Sequence, residues 1–70
     1  MLITIELDDN SKEVNIPGNN IISEIRIEAT KTFNIDVQAY KMLVSGEPVL
    51  KSADITEGTH VRFSKKGSGM

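Results

Sequence analysis

Four segments of the chain alternate between apolar and polar residues, as strands with one buried face do. They are Leu2 to Leu7, Glu13 to Ile16, Tyr40 to Val44 and His60 to Ser64. Successive side chains of a strand point to opposite faces, so each segment has one apolar face to bury. Asp8-Asp9-Asn10-Ser11 joins the first two segments with residues that favour turns. We therefore predict an N-terminal β-hairpin, ended by Pro17-Gly18 because proline cannot donate a ladder hydrogen bond.

The segment after the hairpin has a helical period instead. Its apolar residues fall at i, i+3, i+7 and i+11: Ile22, Ile25, Ala29 and Phe33. This stripe predicts a helix from about Ile21 to Phe33, with Asn19-Asn20 as N-cap candidates and Asn34 in the left-handed position that follows the last turn. A strand is the alternative, because Glu24 to Glu28 also alternates. We favour the helix, since the stripe continues for about three turns, and Ile27 then points away from the core.

Shorter segments complete the C-terminal half. Ser45 to Pro48 predicts a turn, Val49-Leu50 predicts a short edge strand, and the loop that follows has one candidate for burial, Ile55. We predict a domain over residues 1–66 and a flexible, glycine-bearing C-terminal tail over residues 67–70. The order of hairpin, helix, strand, edge strand and strand predicts an α+β roll, in which a four- or five-strand mixed sheet packs on one helix.

The apolar phases of these elements predict one shared core. Its members are Ile3, Ile5, Val14, Ile16, Ile22, Ile25, Ala29, Phe33, Met42, Val44, Val49, Ile55, Val61 and Phe63. Hydrophobic residues make up 39% of the chain and charged residues 26%, a mixture that folds rather than remaining disordered. A chain of 70 residues has only a small core, and a deep active-site pocket is hard to build in it. We therefore do not expect an enzyme.

Composition narrows the chemistry further. The chain has no cysteine and a single histidine, His60, so we expect no metal site, no thiol nucleophile and no cofactor. His60 is expected to be a surface residue, because nothing in the sequence places an acid or a nucleophile beside it. The net charge of −2 disfavours nucleic acid as a partner. The chain has no apolar stretch of about 20 residues and no cationic leader, so we expect a cytoplasmic monomer that does not bind membranes.

The order of elements resembles the β-grasp, or ubiquitin-like, fold, and individual residues extend the resemblance. Residues 35–49, with the run Lys41 to Gly46, are similar to the post-helix turn and third strand of ubiquitin. The opening Met1-x-Ile3-x-Ile5 agrees as well. The loop from Leu50 to Ile55 is shorter than in ubiquitin and is more similar to the sulfur-carrier proteins of thiamin and molybdopterin synthesis. The resemblance implies a non-enzymatic protein-interaction module.

The same resemblance implies a face for binding a protein partner. If the β-grasp pairing holds, four side chains of the last strand and its neighbour point outward: Lys41, Leu43, Arg62 and Lys66. The three basic side chains would then form a patch around Leu43. Asp8 and Ser64 stand where ubiquitin has apolar residues in its recognition surface. The alternative is an ordinary solvated sheet face, since scattered surface charge is common.

The tail carries a second functional hypothesis. In ubiquitin and the sulfur carriers a terminal glycine carboxylate is adenylated and then becomes a thioester or thiocarboxylate. Here Gly67, Ser68 and Gly69 precede Met70, so removal of Met70 would expose a terminal glycine, which has no Cβ to obstruct a narrow channel. The partner would then be an adenylating activating enzyme. The alternative is an ordinary frayed terminus.

Overall fold

The structure is a computed structural model that describes residues 1–66. Within them it has five strands and one helix: β1 (Leu2–Leu7), β2 (Asn10–Asn15), α1 (Ile21–Phe33), β3 (Tyr40–Val44), β4 (Glu47–Pro48) and β5 (His60–Lys65). Short 3-10 turns at Val37–Ala39 and Ser52–Asp54 precede β3 and β5. The predicted tail, residues 67–70, lies outside the described residues.

The strands form one mixed sheet in the order β2-β1-β5-β3-β4. The central strands β1 and β5 run parallel, and every other neighbouring pair is antiparallel. The helix packs on one face of this sheet, and its residues Ile25 and Ala29 join the buried residues of the strands in one core. The predicted α+β roll is confirmed, and the sheet has five strands.

The helix follows the predicted stripe and not the alternative strand. Ile25 and Ala29 are completely buried, whereas Ile27 is 44% exposed. A strand would have placed Ile25 and Ile27 on the same face. Asn34 has φ 55°, and its N–H donates to the carbonyl of Thr30 at 2.9 Å, which ends the helix as predicted. Asn20 precedes the helix, but its side chain makes no capping hydrogen bond.

The observed core differs from the predicted one at its margin. The buried hydrophobic residues are Ile3, Ile5, Leu7, Val14, Ile16, Ile25, Ala29, Met42, Ile55, Val61 and Phe63. Leu7 was not predicted, although it continues the inward phase of Ile3 and Ile5, and it is buried beside Phe63 of the neighbouring strand. Four predicted members are only partly buried: Ile22, Phe33, Val44 and Val49. Ile22, Phe33 and Val44 lie near the ends of their elements and Val49 just beyond β4, where fewer neighbours cover a side chain.

Two hairpin turns are tighter than the sequence predicts. Asp8 adopts φ 52°, so β2 already begins at Asn10. Ser45-Gly46, with φ of 53° and 81°, reverses the chain within two residues. As a result β4 is Glu47–Pro48, and the predicted edge strand at Val49-Leu50 is wrong. Leu50 instead lies in the following loop with 85% of its surface exposed.

Candidate partner-binding surface

The face of the sheet opposite α1, called the outer face below, carries most of the candidate residues. The inward phase of each strand is occupied by core residues, so the intervening side chains point outward. They include Thr4 and Glu6 of β1, Lys41 and Leu43 of β3, and His60, Arg62 and Ser64 of β5. This face is therefore built mainly from β1, β5 and β3, which are adjacent in the sheet. In the chain, more than 30 residues separate β1 from each of the other two strands.

The register between β3 and β5 brings three predicted residues together. Lys41 lies opposite Ser64, and Leu43 lies opposite Arg62. Directly opposed residues have Cβ atoms about 4.5–5.5 Å apart, so Arg62 and Leu43 are neighbours on the outer face. Leu43 is half-buried, while Lys41 and Arg62 are exposed. The result is an apolar spot between two cationic side chains.

Lys66, the fourth predicted residue, follows the end of β5. Its N–H donates to the carbonyl of Ala39 at 2.9 Å, which continues the pairing of β5 with the chain at the start of β3. Lys66 is exposed and has the same alternation phase as Arg62. It therefore lies at the edge of the patch rather than beside Leu43.

An acidic residue that the sequence analysis missed lies within this patch. The Glu6 carboxylate accepts a hydrogen bond from Nδ1 of His60 at 2.9 Å, and its other oxygen lies 3.8 Å from Nη1 of Arg62. The expectation that no acid lies beside His60 is therefore wrong. Because Ile3 and Ile5 face inward, Glu6 faces outward, and the parallel pairing places it beside Arg62. The β-grasp resemblance could have supplied this signal, since it puts the first and last strands side by side.

A surface depression of about 530 Å³ adjoins these groups. Its lining includes Leu43 and Val44, which supply apolar surface, the Ser45-Gly46 turn, and Glu6, His60 and Arg62, which supply ionisable groups. An apolar surface bordered by charged groups is typical of a protein-contact site. Its residues can form both hydrogen bonds and hydrophobic contacts.

The part of the chain that the structure describes lacks two further kinds of feature. Across residues 1–66, no three histidine, cysteine, aspartate or glutamate side chains are grouped so that they could hold a metal ion. The helix found in those residues is too short and too polar to span a bilayer.

Solved structures match this chain over nearly its whole length. One similar solved structure is the NMR solution structure of a computationally designed protein based on the template of human erythrocytic ubiquitin. It matches with a TM-score of 0.74 and 20% identity, over 99% of this chain and 95% of that one. The chain has the ubiquitin-like β-grasp fold. A ubiquitin-like protein from Trypanosoma brucei also matches, with a TM-score of 0.65 and 10% identity over 94% of each chain.

The comparisons establish the fold alone. No protein-family model and no curated protein matches the chain. The likeness to sulfur carriers therefore rests on the shortened loops of the sequence alone. At 10–20% identity the two solved structures establish the β-grasp architecture and do not extend to the role of its outer face.

Proposed function

We propose that this chain is a non-enzymatic, ubiquitin-like protein-interaction module that binds a protein partner through the outer face around Leu43. The observation that supports this proposal is the arrangement around the half-buried Leu43. Exposed Lys41 lies two residues before it on β3, and exposed Arg62 lies opposite it on β5. Protein interfaces commonly combine an apolar centre with a polar rim, and arginine is enriched among the residues that contribute most to binding. The patch has this composition.

The charge of the patch supports an acidic partner. Lys41, Arg62 and Lys66 outnumber Glu6, the acidic residue beside Arg62, in a chain whose net charge is −2, so this part of the surface differs in sign from the whole. Complementary charge accelerates encounter and disfavours partners of the same sign. The partner surface is therefore acidic, with an apolar side chain that contacts Leu43.

A matched pair of arginine variants tests this proposal. A partner captured by the wild-type chain is purified, and its dissociation constant is measured by calorimetry for wild type, Arg62→Glu and Arg26→Glu. Arg26 is exposed on α1, away from the outer face, so its reversal changes the net charge equally without touching the patch. We expect Arg62→Glu to weaken binding about tenfold or more at low salt and less at high salt. Equal effects of the two reversals would contradict the proposal.

Truncation of Leu43 provides an independent measurement at the same surface. We expect Leu43→Ala to weaken binding by about 1–2 kcal/mol with little dependence on salt, because the lost contact is apolar. Circular dichroism should remain that of the parent, since Leu43 is only half-buried. Unchanged affinity of Leu43→Ala would remove Leu43 from the interface.

A second candidate function is supported by the sequence after β5. Gly67, Ser68 and Gly69 follow Lys66 directly, and removal of Met70 would leave a glycine carboxylate. As a modifier or sulfur carrier, the chain would attack the α-phosphate of ATP through this carboxylate. Pyrophosphate would leave, and a thiol or sulfide would then displace AMP to give a thioester or a thiocarboxylate. The basic patch would dock the adenylating enzyme.

The two functions differ in what the unprocessed chain can do. We expect the chain that retains Met70 to form no adenylate, because its carboxylate belongs to a bulky residue rather than to glycine. Intact mass of the chain from its native source reports whether Met70 is removed. A native chain that ends at Gly69 and forms an acyl-adenylate with ATP and an activating enzyme would establish the carrier function instead.

A further inference from the structure

Three ionisable side chains meet at the border of the depression on the outer face. They are Glu6, His60 and Arg62, here called the triad. The Glu6 side chain is 26% exposed, while His60 and Arg62 are 65% and 56% exposed. The acid is therefore the more enclosed member, and the side chains of His60 and Arg62 remain accessible to a partner that docks on this face.

The two contacts of Glu6 are unequal. Its Oε2 lies at hydrogen-bond distance, 2.9 Å, from Nδ1 of His60, whereas its Oε1 lies 3.8 Å from Nη1 of Arg62. The second separation is an ion pair without a hydrogen bond. Because guanidinium carries five N–H donors, Arg62 keeps donors for a carboxylate of a partner. Glu6 is thus held mainly by His60, while its charge still offsets part of the attraction that Arg62 exerts.

We propose that the triad makes binding of an acidic partner at the outer face depend on pH, through the charge of His60. This inference rests on the proposed function and specifies its regulation. When the imidazole is neutral, the charges of Glu6 and Arg62 cancel and the triad has no net charge. When the imidazole is protonated, the triad carries one positive charge. Histidine changes charge between about pH 5 and pH 8, so an acidic partner binds more tightly at the acidic end of that range.

Within residues 1–66, the carboxylate in direct contact with His60 is that of Glu6. The groups around His60 are Thr4 and Glu6 on β1, Arg62 on its own strand, Glu13 on β2 beyond Thr4, and Ser45, Gly46 and Thr59, which line the same depression. Glu57 precedes His60 by three residues in the loop that leads into β5. The Glu57 carboxylate accepts a hydrogen bond from the N–H of Leu2 at 3.0 Å, at the start of β1. His60 is the only histidine of the chain, and comparison with His60→Gln separates its contribution from that of an α-amino group, which can also change charge in this range.

The size of the effect follows from the exposure of the groups. A single charge added at a solvent-exposed interface changes affinity by about two- to fivefold at low salt. Glu6→Gln removes the internal anion and should tighten binding by a similar factor, about two- to fivefold, at both ends of the pH range. His60→Gln keeps an N–H donor for Glu6 but cannot become charged, so its affinity should not change with pH.

The test uses two synthetic peptides, capped at both ends and free of histidine. One has a central leucine flanked by aspartates, and the control has asparagines in their place. Aspartate is ionised throughout the range, because its unperturbed pKa is about 3.9. Affinity is measured from the backbone NMR shifts of Leu43 and Arg62 at about pH 5.5 and about pH 8 and at low salt. Wild type, His60→Gln and Glu6→Gln are compared.

Each outcome has a defined consequence. Tighter binding of the acidic peptide to wild type at about pH 5.5, absent in His60→Gln and absent with the asparagine peptide, supports the proposal. Binding at Leu43 with the same affinity at both pH values, or with the same pH dependence in His60→Gln, overturns this inference and leaves the proposed function standing. No shift at Leu43 or Arg62 at either pH overturns the proposed function and this inference together.

Discussion

Replacing Phe63 with alanine should remove much of the stability of this chain. Phe63 is 2% exposed and lies on β5, in the centre of the sheet. It pairs with Leu7 of β1 on one side and Met42 of β3 on the other, so the hydrogen-bonded ladders hold both walls of the resulting cavity in place. Truncating a side chain whose surroundings cannot collapse lowers the free energy of unfolding by an amount near the upper part of the usual range. We therefore expect Phe63→Ala to lose about 3–5 kcal/mol. A chain this short has a total stability at the low end of about 5–15 kcal/mol.

The matched control is Phe33→Ala, which deletes the same atoms elsewhere. Phe33 ends α1 and is only partly buried, so its truncation leaves space that solvent and the helix end can fill. We expect a cost of about 1–2 kcal/mol. Urea unfolding, followed by circular dichroism and intrinsic tyrosine fluorescence, gives both values with the slope of the transition as a check on two-state behaviour.

If Phe63→Ala does not fold without denaturant, Phe63→Leu gives a measurable transition, with an expected loss of about 1–2 kcal/mol. A Phe63→Ala variant that unfolds at the urea concentration of the parent would refute the strand phase on which the core is built. Equal losses for the two phenylalanine truncations would refute the argument from burial.

Three further outcomes are expected. Ile25→Ala should cost about 2–5 kcal/mol, while Ile27→Glu should stay within about 0.5 kcal/mol of the parent in the same urea assay; similar losses at both positions would favour a strand. Asn34→Ala should lose about 1–2 kcal/mol because alanine is strained at positive φ, whereas Asn34→Gly should be at least as stable as the parent; equal melting temperatures would argue against the left-handed cap. Deletion of residues 67–70 should leave partner affinity within about twofold, by calorimetry, if the chain is an interaction module that binds through its sheet face; loss of transfer to an activating enzyme would instead support the carrier.

The elements that the amino-acid pattern predicted correctly share one property. In β1, β3 and β5 apolar residues alternate with polar ones, and in α1 they recur at helical spacing, because one side of each segment is buried. Such a pattern is local, so it locates Phe63 on the inward phase of its strand and Ile27 on the outside of the helix. The left-handed Asn34 is equally local, because the residue type itself tolerates positive φ.

The errors arose in a segment too short to alternate and at the ends of segments that do. A strand of two residues has no alternation to detect, so the position of β4 depended on the Ser45-Gly46 turn. The burial of Leu7, compared with the partial exposure of Val44 and Val49, depends on which strands lie beside each residue. All three side chains are aliphatic, whereas the number of covering neighbours differs.

The triad is the clearest example of a feature that belongs to the tertiary structure. Glu6 and His60 are 54 residues apart in the chain, and their side chains meet only because β1 and β5 pair in parallel with a particular register. A shift of that register by one residue would send one of the two side chains to the opposite face. The sequence therefore carries the residue types and the faces on which they lie, while strand pairing across the sheet sets which charges come into contact.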